Sequence, residues 1–82
     1  MASFIFETYE FLETELAMGE GEYLDILTVL AGLDSEAQAG FTEDLRTGFA
    51  SYVADPQYTL FSRFEKAETL YDLVNMHLDG VS

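Results

Sequence analysis

The stretch Ser3-Phe4-Ile5-Phe6-Glu7-Thr8-Tyr9-Glu10-Phe11-Leu12-Glu13-Thr14-Glu15-Leu16-Ala17-Met18-Gly19 decides the fold. Ile5, Tyr9, Leu12 and Leu16 recur at steps of three and four, and at about 100° per residue they share an arc of about 60°. That is one apolar face of an α-helix, and no alternation long enough for a strand competes with it. Ser3 is the expected N-cap, Met18 closes the helix, and Gly19 is its C-terminal stop.

The same period continues outward from this helix. Gly19-Glu20-Gly21 leads to a second helix expected from Glu22 to Ala31. Tyr23, Leu24, Ile26, Leu27, Val29 and Leu30 cover most of its circumference, which predicts the most buried element of the fold; Gly32 ends it. Ser35 followed by Gln38 has the spacing of a capping box and opens a third helix. Its stripe is Ala37, Phe41, Leu45, Phe49, Tyr52 and Val53. Gly40 and Gly48 lie inside, each costing about 1 kcal/mol relative to alanine, so a break near Gly40 with Thr42 as a new cap is the alternative.

Asp55-Pro56 closes that region, because the residue before proline avoids the helical basin. Thr59 is the expected cap of a last helix from Leu60 to Leu78, with Gly80 beyond its end. Leu60, Phe64, Ala67, Tyr71, Val74 and Leu78 form its predicted seam, leaving Leu70, Leu73 and Met76 outside. Connections of a few residues favour antiparallel neighbours. The expectation is all-α: one domain over residues 1–82, a small antiparallel four-helix assembly.

Composition supports folding and narrows function. Hydrophobic residues make up 49% of the 82 positions and aromatics 15%, enough apolar surface for one core. Sixteen acids face three bases, Arg46, Arg63 and Lys66, for a formal charge of −13. So few cations argue against direct nucleic-acid binding, where each phosphate contact wants a Lys or Arg. Anionic membrane surfaces are disfavoured for the same reason. The absence of cysteine removes disulfides, thiolate metal sites and cysteine nucleophiles. The amino terminus has no basic region and meets Glu7 before a signal-type apolar run forms. As it stands the chain reads as cytoplasmic; it reads as periplasmic if it is the mature part of a longer one.

The charge is unevenly placed. Up to Phe41 there are nine acids and no base. Glu7, Glu10 and Glu13 follow one another at spacings of three and line one helix face, where no cation of the same helix can relieve their repulsion. Such a face is either simply solvated or a docking surface for a basic partner that gains association rate from long-range steering. Regular carboxylates on a helix can also imitate a phosphate backbone. Phe4, Phe11 and Met18, spaced by seven, fall about 100–140° from the core stripe. A second apolar stripe implies either a helix packed on two sides or a patch reserved for another chain. Surplus apolar surface also points to a homodimer, opposed by repulsion between two −13 subunits.

Catalytic chemistry is hard to assemble from these residues. His77 is the only histidine, and in the final turns of a helix it reads as a partner for the dipole. One histidine cannot supply a transition-metal site, and no calcium loop or phosphate loop is spelled out. No catalytic residue, metal or cofactor is expected. A small-ligand site between the helices would rest on aromatic richness alone.

The segment Leu16-Ala17-Met18-Gly19-Glu20-Gly21-Glu22-Tyr23-Leu24-Asp25-Ile26-Leu27, followed by Leu30-Ala31-Gly32-Leu33, is similar to a recurrent motif. That motif, D-M-A-x-G-x-G-E-x-L-x-x-L-x-x-L-x-G-I, is found in a family of small exported bacterial proteins of unknown function. Phe41, Leu45, Phe49, Tyr52, Val53 and the Pro56 loop resemble the same family's phenylalanine-containing helix and turn. The resemblance runs from about Phe11 onward, with its specific part between Gly19 and Leu27. It brings no activity, ligand or catalytic residue to carry over. The chain differs from that pattern in its acidity and in showing no signal peptide.

The sequence therefore leads to a non-enzymatic acidic protein that binds and inhibits a basic macromolecular partner, of the toxin-immunity or phage-inhibitor kind. Glu7, Glu10, Glu13 and Glu20 supply its electrostatics, and Phe4, Phe11 and Met18 its apolar anchors. The alternative is a structural or envelope-associated domain whose acidity serves solubility.

Overall fold

The computed structural model describes residues 2–81, with side chains through residue 78. Four α-helices follow one another: α1 (Ala2–Met18), α2 (Glu22–Leu30), α3 (Ser35–Ala54) and α4 (Arg63–Val81). A 3-10 helix, Pro56–Leu60, joins the last two. Among the described residues there is no strand, and the helices form a small all-α bundle with extents of 35 × 23 × 22 Å. Helices α1 and α3 each touch the other three helices, and α3 also touches the 3-10 helix.

Ile5, Tyr9, Leu12 and Leu16 are all buried, as their spacing predicts, against Leu24 and Leu27 of α2, Phe41, Leu45 and Phe49 of α3, and Ala67, Leu70, Leu73 and Val74 of α4. Helix α1 already includes Ser3, so that residue is not the N-cap, and the capping position falls outside the described residues. At Thr8 the backbone leaves helical geometry (φ −113°, ψ 18°). Its hydroxyl donates to the Phe4 carbonyl at 2.5 Å, a side-chain bond to the preceding turn that bends helices.

Helix α2 is not the most buried element. Leu24, Leu27 and Thr28 face the core, whereas Ile26, Val29 and Leu30 are exposed, Val29 at 67%. Nine residues offer one face to α1 and α3, and among the described residues no other element covers the opposite face. The helix ends at Leu30, one residue before its expected end, where Gly32 N–H reaches Val29 O (3.0 Å) and Leu33 N–H reaches Thr28 O (3.2 Å). This is the Schellman arrangement.

Helix α3 begins one residue earlier than a Ser35 cap implies. Asp34 is the N-cap, accepting from Ala37 N–H at 2.9 Å, and Gln38 donates to Leu33 O rather than completing a box. Aspartate stabilises the positive helix end better than serine does. The helix runs through Gly40 and Thr42 without a break. Gly48 admits a close neighbour: a Cβ there would lie 3.0 Å from Cδ1 of Leu73.

Helix α4 starts at Arg63, not Leu60. Asp55 accepts from Gln57 N–H and organises the 3-10 helix, within which Thr59 bonds to Pro56 O instead of capping. The cap is Ser62: its Oγ accepts from Glu65 N–H at 3.2 Å, and Glu65 accepts from Ser62 N–H at 3.1 Å. The helix continues past Leu78 through Gly80. Its buried face is Ala67, Leu70, Leu73 and Val74, so Leu70 and Leu73 replace Leu60 and Phe64 of the expected seam. Leu60 is 82% exposed and Phe64 62%. The rotation arises because α4 packs on two neighbours at once. Leu73 enters the Gly48 notch of α3, while Phe64 and Tyr71 rest against Phe6 of α1, with ring centroids at 5.2 and 6.5 Å.

Candidate functional site

The turn between α1 and α2 fixes the surface that carries most of the sequence-predicted residues. Gly19 N–H closes α1 on Glu15 O at 2.7 Å. The Glu15 side chain then crosses to α2 and accepts from Leu24 N–H at 2.8 Å, capping a helix whose own N-cap, Gly21, has no side chain to offer. A Cβ on Gly21 would collide with the Glu15 carboxyl carbon, so glycine here makes room for the cap. Tyr23 stacks on Phe11 with centroids at 4.6 Å and planes 11° apart, and on Phe4 at 6.3 Å. The second stripe of α1 thus splits. Phe4 is half-buried on α2, Phe11 packs on one side and stays exposed on the other, and Met18 is exposed.

The acidic row divides in the same way. Glu7 and Glu20, and Glu22 and Asp25 of α2, are exposed, and their carboxylates make no hydrogen bond or ion pair among the described residues. Glu10 is engaged by Arg63 of α4, whose guanidinium grips both carboxylate oxygens and donates also to Phe6 O at 2.7 Å. Glu13 is half-buried and accepts from the Tyr9 hydroxyl at 3.0 Å. With its proton committed to Glu13, Tyr9 accepts from the hydroxyl of buried Tyr58. Burial first, then the bonds to Tyr58 and Glu13, push the Tyr9 phenol far above its ordinary range; burial raises Tyr58 as well. Glu10 and Glu13 are therefore engaged within the fold rather than standing free for a partner.

The hydrogen bonds from Arg63 hold the Glu10 carboxyl down at about 2, from an ordinary 4.5. A carboxyl depressed in the folded state stabilises the fold above its unfolded value, and that contribution is lost as pH falls from 4.5 toward 2. The pair is solvent-exposed, so it orients α4 on α1 more than it stabilises. Carbon-13 NMR titration should place the Glu10 midpoint near 2 and return it toward 4.5 in Arg63→Gln. A wild-type midpoint already near 4.5 would remove Arg63 from this role.

The remaining bases are also occupied. Arg46 donates to Ala17 O at 3.3 Å, on the last turn of α1, and Lys66 sits 5.4 Å above the Tyr58 ring. Cationic groups at a helix C-terminus and over an aromatic face are both favourable. His77 donates through Nε2 to Asp44 O at 3.0 Å, a link from α4 to α3 rather than a partner of its own helix end. These long-range pairings were not deducible from spacing. The Ser62–Glu65 box was, since Ser-x-x-Glu is its signature.

Two shallow grooves accompany this surface. One, of about 420 Å³, has an apolar floor of Leu16, Phe49 and Val53, with Glu13 and Arg46 at its edges. The other, of about 340 Å³, lies between α2 and α3 and carries Glu20, Asp25 and Glu43. Among the described residues no three His, Cys, Asp or Glu side chains are grouped to hold a metal ion, and no helix is long and apolar enough to cross a membrane.

Residues 1–74 match a family described as "Protein of unknown function (DUF3015)". The chain belongs to that family. The DUF3015 match takes in α1, α2, α3 and the 3-10 helix, together with α4 as far as Val74, and so includes the whole α1–α2 surface but not His77. No curated protein and no solved structure matches the chain.

Proposed function

We propose that this DUF3015 chain is a non-enzymatic binding protein whose acidic helical body captures a basic macromolecular partner and blocks its action. One observation carries the reading. Arg46, Arg63 and Lys66 are all committed within the fold, and among the described residues a single ion pair, Arg63–Glu10, offsets the carboxylates. A surface left so unneutralised generates a long-range field that steers cations toward it. An inhibitor of the toxin-immunity or phage type fits a small chain with charge and no evident catalytic grouping. Imitation of a phosphate backbone by Glu7, Glu10 and Glu13 is less favoured, because Glu10 and Glu13 are tied to Arg63 and Tyr9.

The test is affinity purification from the native host, followed by association kinetics with the protein retained. The association rate constant should fall roughly tenfold or more between about 0.05 M and 0.5 M salt, as screening shortens the field. Retention of no basic protein, or a rate indifferent to salt, rejects the proposal.

A further inference from the structure

We infer that the outward face of the α1–α2 hairpin docks a basic amphipathic helix from another protein. The helix's apolar side would lie on Phe11, Ile26, Val29 and Leu30, and its Lys or Arg side chains would meet Glu7, Glu22 and Asp25. The inference rests on the binding function proposed above and adds the surface and the shape of the partner.

The face is continuous. Tyr23, Ile26 and Leu30 are spaced by three and four along α2 and share one side of it, and Tyr23 is stacked on Phe11. Val29 lies one step further around and is the most exposed apolar residue of the helix. Phe4 and Phe11 clamp Tyr23 on α1, so the aromatic part of the platform is already ordered and loses little freedom on binding. An exposed apolar face bordered by polar residues is the usual form of an interaction site.

The rim decides what covers it. Glu7 falls between Phe4 and Phe11 along α1; on α2 Asp25, four residues before Val29, borders the apolar strip from the other side, and Glu22, seven residues before Val29, stands at the strip's N-terminal end. From Ala2 to Ala31 there are seven acids and no base. A second copy of the chain would bring two such rims together with no cation to separate them. Lipid headgroups and nucleic acid carry the wrong sign. A helix with apolar residues at i, i+3, i+4 and i+7 and Lys or Arg on both flanks matches the strip and the rim together.

Synthetic 18-residue peptides test this directly: a Leu/Lys amphipathic helix, a Ser/Lys peptide of equal charge, and a Leu/Glu helix. The Leu/Lys peptide should bind, with the largest amide NMR shifts within residues 4–30. Ile26→Gln with Val29→Gln should weaken it about tenfold or more, and Glu22→Gln with Asp25→Asn should weaken it too. Both pairs are exposed, and the NMR mapping needs no variant. Equal binding of the Ser/Lys and Leu/Lys peptides, or shifts confined to α3 and α4, overturns the docking face while leaving acidic capture standing. Failure of every basic peptide to bind overturns both. Equal binding of the Leu/Glu helix removes the role of the rim. Sedimentation as a dimer that Ile26→Gln with Val29→Gln converts to monomer makes a second copy the occupant and overturns the inference.

Discussion

Leu70→Ala is expected to destabilise the protein by about 2–5 kcal/mol, while Phe64→Ala should cost about 1 kcal/mol. Leu70 is wholly buried among core residues of the other helices, so truncation leaves a cavity that helices fixed on two sides cannot close. Phe64 is largely exposed and loses mainly its contact with Phe6. A chain of this size has roughly 4–12 kcal/mol of stability in total, so the first change removes a large share of it. At about 4–8 °C per kcal/mol, melting followed by circular dichroism should separate the two variants by at least several degrees. Equal losses, or the reverse order, would mean that α4 buries the seam its periodicity predicts and not the rotated one.

That pair also shows where the sequence is readable. In α1 the four core residues fall within a narrow arc bordered by Thr8 and Glu15 on one side and Glu13 on the other, so period alone identifies the buried face. In α4 apolar residues occupy two overlapping stripes, and a spacing rule cannot choose between them. The choice is made by Gly48 on another helix, which opens a notch for Leu73, and by Phe6, which draws Phe64 and Tyr71 to the rim. Helix α2 fails for a different reason. An all-round apolar helix reads as buried, but burial needs neighbours on every side, and nine residues at the edge of a four-helix bundle have too few.

The proposed docking surface is legible by residue type and not by pairing. Phe11, Met18, Glu7 and Glu20 lie exposed, as a binding role requires, whereas Glu10 and Glu13 are claimed by Arg63 and Tyr9, residues whose approach depends on tertiary structure. Ile26 and Val29, which extend the exposed apolar strip, cannot be told by period from core residues in a helix that is apolar all round.

Gly21→Ala is expected to cost about 2–3 kcal/mol, combining two effects that a double-mutant cycle can separate. Gly21 has φ 157° and ψ 165°, a region that residues with a Cβ rarely occupy, which accounts for about 1–2 kcal/mol. The added Cβ would also collide with the Glu15 carboxylate. That carboxylate ends a flexible side chain and can swing aside, but doing so surrenders the bond to Leu24 N–H, a cap of about 1 kcal/mol. Glu15→Ala alone should therefore cost about 1 kcal/mol, and Gly21→Ala placed on top of it should cost only the backbone strain. The double variant should be more stable than the two single losses added together, by about the value of the cap. Strict additivity in urea unfolding would mean that Glu15 does not cap α2 and that glycine is needed at this turn for its backbone alone. Loss of the cap should also loosen the first turn of α2, which holds Tyr23 against Phe11 and carries Glu22 and Asp25. Gly21→Ala should accordingly weaken the Leu/Lys helix more than its effect on global stability explains, because it disorders one edge of the platform before the bundle unfolds.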